Sequence, residues 1–577
     1  MKKIFILLLL VILSCNSKKE KEYNFTTVFE KSDGLETATY AETIQYYKNL
    51  AATYASIKID SIGETDSGKP LHMVTLNTDG IFNFSEIRKN KRILLINNGI
   101  HPGESDGIDA TMMLYRDLAK GKITVPKNTV IVTIPIYNVG GSLNRNSTTR
   151  TNQNGPKAYG FRGNARNYDL NRDFIKCDTK NAKTFAQLFH IVQPDVFIDN
   201  HVSNGADYQY TLTHLFTQHN KLGGDLGAYL HNEMMPNLEQ QLADKDWDIT
   251  PYVNVFNKTP ESGFSQFMDS PRYSTGYTTL FNTIGMMVET HMLKPYKQRV
   301  EGTYELMKSM VDITENDGEK IKKLREHANK KLLTNKTYTL NWELDTSKTS
   351  MLNFKGFEGE MIPSEITGKQ RLKFNRNKPF TKEVSYQNYF KPTDSVTIPS
   401  AYIIPQGWWP VIDLLKINNT EMFQLEKDSS YTVEIYKIKD YKSRNTPYEG
   451  HYLHYNTTVS SKVKTITFKK GDYLIKTDQT SLRYLLETLE PQAPDSFFNW
   501  NFFDTILQQK EGFSPYVWEE KAKLILLQNP RLQIELNLKK SYEPDFANNW
   551  YAQLDWIHKK SENYEKAHLQ YPVYRVK

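Results

Sequence analysis

The sequence predicts an α/β protein: a three-layer α/β/α domain with a mixed sheet over residues 36–332, then a β-rich domain and a partly helical C-terminal segment. Three observations carry this. Short apolar runs alternate with helical patterns between residues 39 and 331. Two of those runs empty into polar loops, the place where open α/β sheets gather ligands. Beyond residue 336 the texture changes to short alternating segments.

Taken in order, Tyr40, Ile44, Tyr47, Leu50, Ala51 and Tyr54 recur at helical spacing and predict an amphipathic helix over 39–54. Residues 57–63 and 71–76 read as strands around the turn Ser67-Gly68-Lys69. The run 92–97 reads as a buried strand that opens into Asn98-Gly99-Ile100-His101-Pro102-Gly103-Glu104. A helix is expected over 109–118, a strand over 129–137, a helix over 182–191 and a buried strand over 196–198, with His201 in the loop after it. An apolar strand at 284–290 ends in one carboxylate, Glu289. The Lys- and Glu-rich stretch 301–331 predicts a long helix that closes the first domain. Strands are expected at 337–340, 402–404, 431–438 and 463–468, placing the β-rich domain at 333–478. Residues 479–577 carry helical runs at 482–489 and 518–527 and an aromatic cluster at 497–503.

A chain of 577 residues is too long for one core, since cores stop growing near roughly 250–300 residues. The net charge of +7 is small for this length and its charges are interspersed, so no nucleic-acid partner is expected. Nothing in the sequence sets the oligomeric state. Lys2 and Lys3 precede ten apolar residues, Ile4 to Leu13, too few to span a bilayer. The run ends Ser14-Cys15, which resembles a bacterial lipobox. That resemblance implies a signal peptide at 1–14, a lipid on Cys15, a tether over 15–35, and attachment to the cell envelope on its periplasmic or outer face. Cys177 is then the one thiol of the body, which excludes an intrachain disulfide or a cysteine metal site there.

The chemistry concentrates in a few short pieces. His101 and Glu104 flank a Pro-Gly turn, and a third donor, His201, lies in Asp199-Asn200-His201. Two histidines and one carboxylate leave a coordination position open, as a catalytic zinc requires. Asp169-Leu170-Asn171-Arg172 sets an acid, an amide and a guanidinium side by side. Together with Glu289, these pieces resemble the zinc carboxypeptidase family, the carboxypeptidase A-like metallopeptidases, over about residues 36–330. The resemblance implies one Zn²⁺ per chain on His101, Glu104 and His201, and a peptide substrate. It implies Glu289 as general base, Asp169 as partner of the ring N–H of His101, and Asn171 and Arg172 as the grip on a terminal carboxylate. The family's oxyanion-stabilising arginine falls on Arg150, with Arg145 second and Arg162 and Arg166 following. Its phenol falls on Tyr277 or Tyr273. The Pro-Gly pair departs from the family, which has an arginine beside the glutamate. His214, His219, His231 and His291 read as structural. Two other readings stay open: a zinc amidohydrolase that deacylates small amino-acid conjugates, and a catalytically dead envelope binding protein whose C-terminal half captures a ligand through exposed aromatics.

Overall fold

The structure is a computed structural model and describes residues 23–577; the expected signal peptide and Cys15 lie outside the described residues. Eight strands form the main sheet: β1 (Ile57–Glu64), β2 (Pro70–Leu76), β3 (Arg92–Asn97), β4 (Thr129–Ile134), β5 (Val196–Ser203), β6 (Leu212–Phe216), β7 (Ile249–Pro251) and β8 (Ile284–His291). Their spatial order is β1-β2-β4-β3-β5-β8-β6-β7. The central strands β4, β3, β5 and β8 run parallel; β1–β2, β2–β4 and β8–β6 are antiparallel and β7 pairs parallel with β6 at the edge, so the sheet is mixed. The expected run 129–137 is a strand only to Ile134. β5 is longer than expected and continues to Ser203, so His201 stands in the strand itself.

Alternate residues of the central strands feed two cores. Leu94, Ile96, Ile131 and Ile198 face the helices Tyr40–Thr53, Asp106–Ala119 and Tyr296–Thr334. Ile93, Leu95, Val130, Val132 and Phe197 face the helix Lys180–Val192 and, beyond it, side chains of the C-terminal half such as Tyr402, Leu485 and Phe497. Each such side chain contributes roughly 1.5–3 kcal/mol by leaving water. The C-terminal half therefore shares its core with the sheet domain. A six-stranded second sheet includes the strand Tyr574–Val576, which lies between Ala401–Ile404 and Ser429–Ser443. A long hairpin, Ser350–Pro363 with Gln370–Gln387, stands as an arm on the main domain and pairs with Phe264 and Ser265.

Two expectations change. Part of the expected tether belongs to the fold: Phe25 and Phe29 are buried, and Glu30 pairs with Arg116 at 2.6 Å. A capping box between Thr27 and Glu30 starts the short helix Val28–Lys31 there. The aromatic cluster points inward, with Phe497, Phe498, Trp500 and Phe503 fully buried. These rings are core, and they offer no surface for a ligand. Among the described residues no helix is long and apolar enough to cross a membrane.

Candidate active site

The loop after β3 is fixed before it delivers any chemistry. Asn98 donates to Thr111 and Thr133 and accepts from Asn200 of β5 at 2.8 Å. The turn then closes tightly, with the Glu104 N–H on the His101 carbonyl at 2.7 Å. On β5, His201 comes alongside. His101, Glu104 and His201, all buried, bring one ligand atom each to within 4.8 Å of one another. His101 Nδ1 lies 3.2 Å from Glu104 Oε1 and His201 Nδ1 3.1 Å from Glu104 Oε2.

Carboxylates flank the far ring nitrogens. His101 Nε2 is 2.9 Å from Asp169 Oδ1, and His201 Nε2 is 3.0 Å from Asp199 Oδ2. Such partners fix the tautomer and turn the other nitrogen toward a metal. The donor set fits Zn²⁺ on two observations. His101 Nδ1 is buried and makes no hydrogen bond. Four carboxylates, Glu104, Asp169, Asp199 and Glu289, close around the two imidazoles, a field that favours a cation. Burial would push up the Glu104 carboxyl, but Arg150 and the imidazoles hold it well below the usual carboxylate range. Burial opposes charge on His201 as well, and Asp199, with Glu104 and Glu289, outweighs it, so the imidazole is raised well above its usual value.

Glu289 stands directly across the strand pair from His201 on β8. It is half-buried at the cleft, and burial, reinforced by Glu104 and Asp199, pushes its carboxyl up to about 8 against the pull of His201 and Arg162. The cleft holds about 310 Å³. The three ligands and Glu289 line it together with Asn171, Arg172, Arg162 and Tyr273, and Leu215, Met287 and Phe267 supply apolar wall. The Arg172 guanidinium sits 4.5 Å above the Tyr273 ring. A larger depression of about 810 Å³, bordered by Arg272 and Trp342, lies elsewhere and contains none of these groups.

Four of the arginine and tyrosine candidates lie off the cleft. Arg145 spends its guanidinium on the carbonyls of Thr37, Ala38 and Ala158. Arg150 sits behind the ligands, with Nη1 on Glu104 Oε1 at 2.7 Å. Of the candidates for the oxyanion arginine, the one that reaches the cleft is Arg162, bonded to Asp169 Oδ2 at 2.8 Å. Arg166 lies over the Tyr168 ring. Tyr277 is fully buried and donates to Asn418 at 2.7 Å, so it ties two layers together and Tyr273 is the phenol at the cleft. The Pro-Gly departure also has a local reason. A Cβ on Gly103 would lie 2.5 Å from Arg150 Nε, so the glycine makes room for the guanidinium that pairs with Glu104. Asp199 had a readable signal: a lone acid two residues before His201 in an apolar strand shares its face. Arg162 had none, because the loop that aims it is irregular.

The profile of the family described as zinc carboxypeptidase matches residues 43–196. Carboxypeptidase 2 of Trichophyton rubrum is 21% identical over 506 residues, covering 81% of this chain and 84% of that protein. Among solved structures, a metallo-carboxypeptidase from Burkholderia cenocepacia aligns at 14% identity and a TM-score of 0.38, covering 48% of this chain and 70% of that one. Carboxypeptidase A from Helicoverpa armigera aligns at 12% identity and a TM-score of 0.37, covering 48% of this chain and 74% of that one.

Proposed function

We propose that this chain is a metallocarboxypeptidase that releases C-terminal residues from peptides with one Zn²⁺ on His101, Glu104 and His201, a reading supported by the match of residues 43–196 to the zinc carboxypeptidase family. The observation that carries this reading is the presence of Asn171 and Arg172 in the same cleft as the ligands and Glu289. A planar guanidinium grips a carboxylate with two parallel bonds, which suits a free C-terminus.

Zinc held by His101, Glu104 and His201 would supply polarisation of the scissile carbonyl and acidification of water. The remaining work falls to the chain. Asn171 and Arg172 orient the terminal carboxylate. Glu289 takes the proton of the attacking water and delivers it to the leaving amine. Arg162, which reaches the cleft beside Glu104, offsets the charge that develops on the carbonyl oxygen. Tyr273 packs under Arg172 and borders the terminal residue. Leu215, Met287 and Phe267 favour an apolar terminal side chain.

N-blocked peptides with free and amidated C-termini test this directly. Only the free forms should be cleaved, with apolar terminal residues preferred. Arg172→Ala should lower kcat/KM on free peptides by about 10–150-fold, the worth of a hydrogen bond to a charged group. Equal cleavage of amidated peptides would mean an endopeptidase, and turnover confined to small acyl-amino acids would mean a deacylase. The lipobox-like Ser14-Cys15 supports a protein anchored by a lipid in the envelope of a bacterium. Cys15→Ala should move it from the membrane fraction to the soluble fraction; unchanged fractionation removes the anchor.

A further inference from the structure

The segment 168–178, which carries Asp169, Asn171 and Arg172, faces the metal ligands on one side and a loop of the C-terminal half on the other. That loop joins the strands Ser429–Ser443 and His454–Phe468, and it turns at a bridge between Tyr448 and His451. Glu449 Oε2 accepts a hydrogen bond from the Asp169 N–H at 2.9 Å. A Cβ on Gly450 would lie 2.4 Å from the Tyr168 hydroxyl, so only glycine lets the loop approach this closely. His451 Nε2 lies 2.7 Å from Asp178 Oδ2. Glu449 itself has φ 49, a left-handed conformation uncommon for a residue with a side chain, and one that persists where the surroundings dictate it.

The route from this loop to the ligands is short. Glu449 holds the backbone of Asp169, and Asp169 Oδ1 lies 2.9 Å from His101 Nε2. The same oxygen accepts from the Asn171 N–H at 2.9 Å, while Oδ2 takes Arg162. The position of the Asp169 backbone therefore sets the ring of His101, the approach of Arg162 and the start of the Asn171–Arg172 pair.

We propose that Glu449 is a positioning residue for the metal site, acting through Asp169 on His101, and that the C-terminal half is a working part of the active centre. The proposal rests on the zinc reading above. It is carried by placement: a loop some 250 residues beyond the ligands meets the single acid that orients one of them.

The full chain tests it through zinc affinity, measured by competition with a chromophoric chelator, alongside kcat, KM and the unfolding midpoint of the metal-free protein. Loss of a direct partner of a metal-binding histidine costs about 10–100-fold in affinity, and Glu449 is one bond further out. Glu449→Ala should weaken zinc binding by about 3–10-fold, scaled down from that range, with a matching loss in kcat/KM and an unchanged metal-free midpoint. Glu449→Gln keeps an acceptor for the Asp169 N–H and should recover most of the affinity. Wild-type zinc affinity in Glu449→Ala overturns the proposal, as does a Glu449→Gln protein as weak as the alanine variant. A wild-type protein that takes up no zinc overturns the zinc reading itself, and this proposal with it.

Discussion

Glu289→Gln lowers kcat by about 10²–10⁴-fold, the usual contribution of a positioned general base, while zinc content stays at the wild-type level. The expectation follows from where the side chain sits. Glu289 is opposite His201 in the strand pair, lines the cleft, and is absent from the ligand cluster. Glutamine keeps its shape and removes only its basicity. Burial and the neighbouring acids push the carboxyl up to about 8, which is where a group that must take and then return a proton is most useful. A cation on the three ligands would pull that value back down. Single-turnover kinetics with metal analysis on the same sample separate the cases. Near-normal turnover removes Glu289 as the base, and loss of metal would make it a ligand.

Trp500→Ala should destabilise the protein by about 3–5 kcal/mol, the range for emptying a large aromatic site in a core. Trp500 is fully buried, and its indole donates to Asp495 at 3.1 Å. The guanidinium of Arg272 lies 5.0 Å from its ring and the Lys176 ammonium 5.4 Å. Asp495 in turn pairs with Arg272 at 2.7 Å. Truncation thus leaves a void and loosens two cations packed at the seam between the sheet domain and the C-terminal half. Urea unfolding followed by fluorescence and by circular dichroism measures it. The shared core predicts one transition that shifts as a whole. A mutant whose C-terminal half melts separately, with the rest unmoved, would contradict that continuity.

How much of this was legible beforehand depended on whether the signal was local. The ligand set and Glu289 announce themselves because each lies just beyond an apolar strand or in its C-terminal half, and a strand's direction decides where that end delivers a side chain. The sheet domain was readable for the same reason, through runs such as 92–97 and 196–198. Arg162 and Tyr273 were not separable from their neighbours, since an irregular loop gives no period from which to infer direction. The aromatic cluster at 497–503 showed its hydrophobicity but not its partner: only the tertiary structure reveals that it packs on the helix Lys180–Val192 side of the main sheet. Residues 23–35 were hidden by the charged run before them, although Thr27 and Glu30 form a capping signature that the sequence does contain. Glu449 had no sequence signal at all, because its role exists only across a contact between distant segments.

The strand Tyr574–Val576 has a consequence for the order of events during synthesis. It pairs on one side with Ala401–Ile404 and on the other with Val433 and Glu434, so it fills the middle of the second sheet. Until these residues leave the ribosome, the sheet has a gap where that strand belongs. Domains tend to fold as their residues emerge, yet here the loop that carries Glu449 extends from a strand bordering that gap. The surface that steadies one metal ligand is therefore built on a sheet whose middle strand is drawn from residues 574–576, some 370 residues beyond the last ligand.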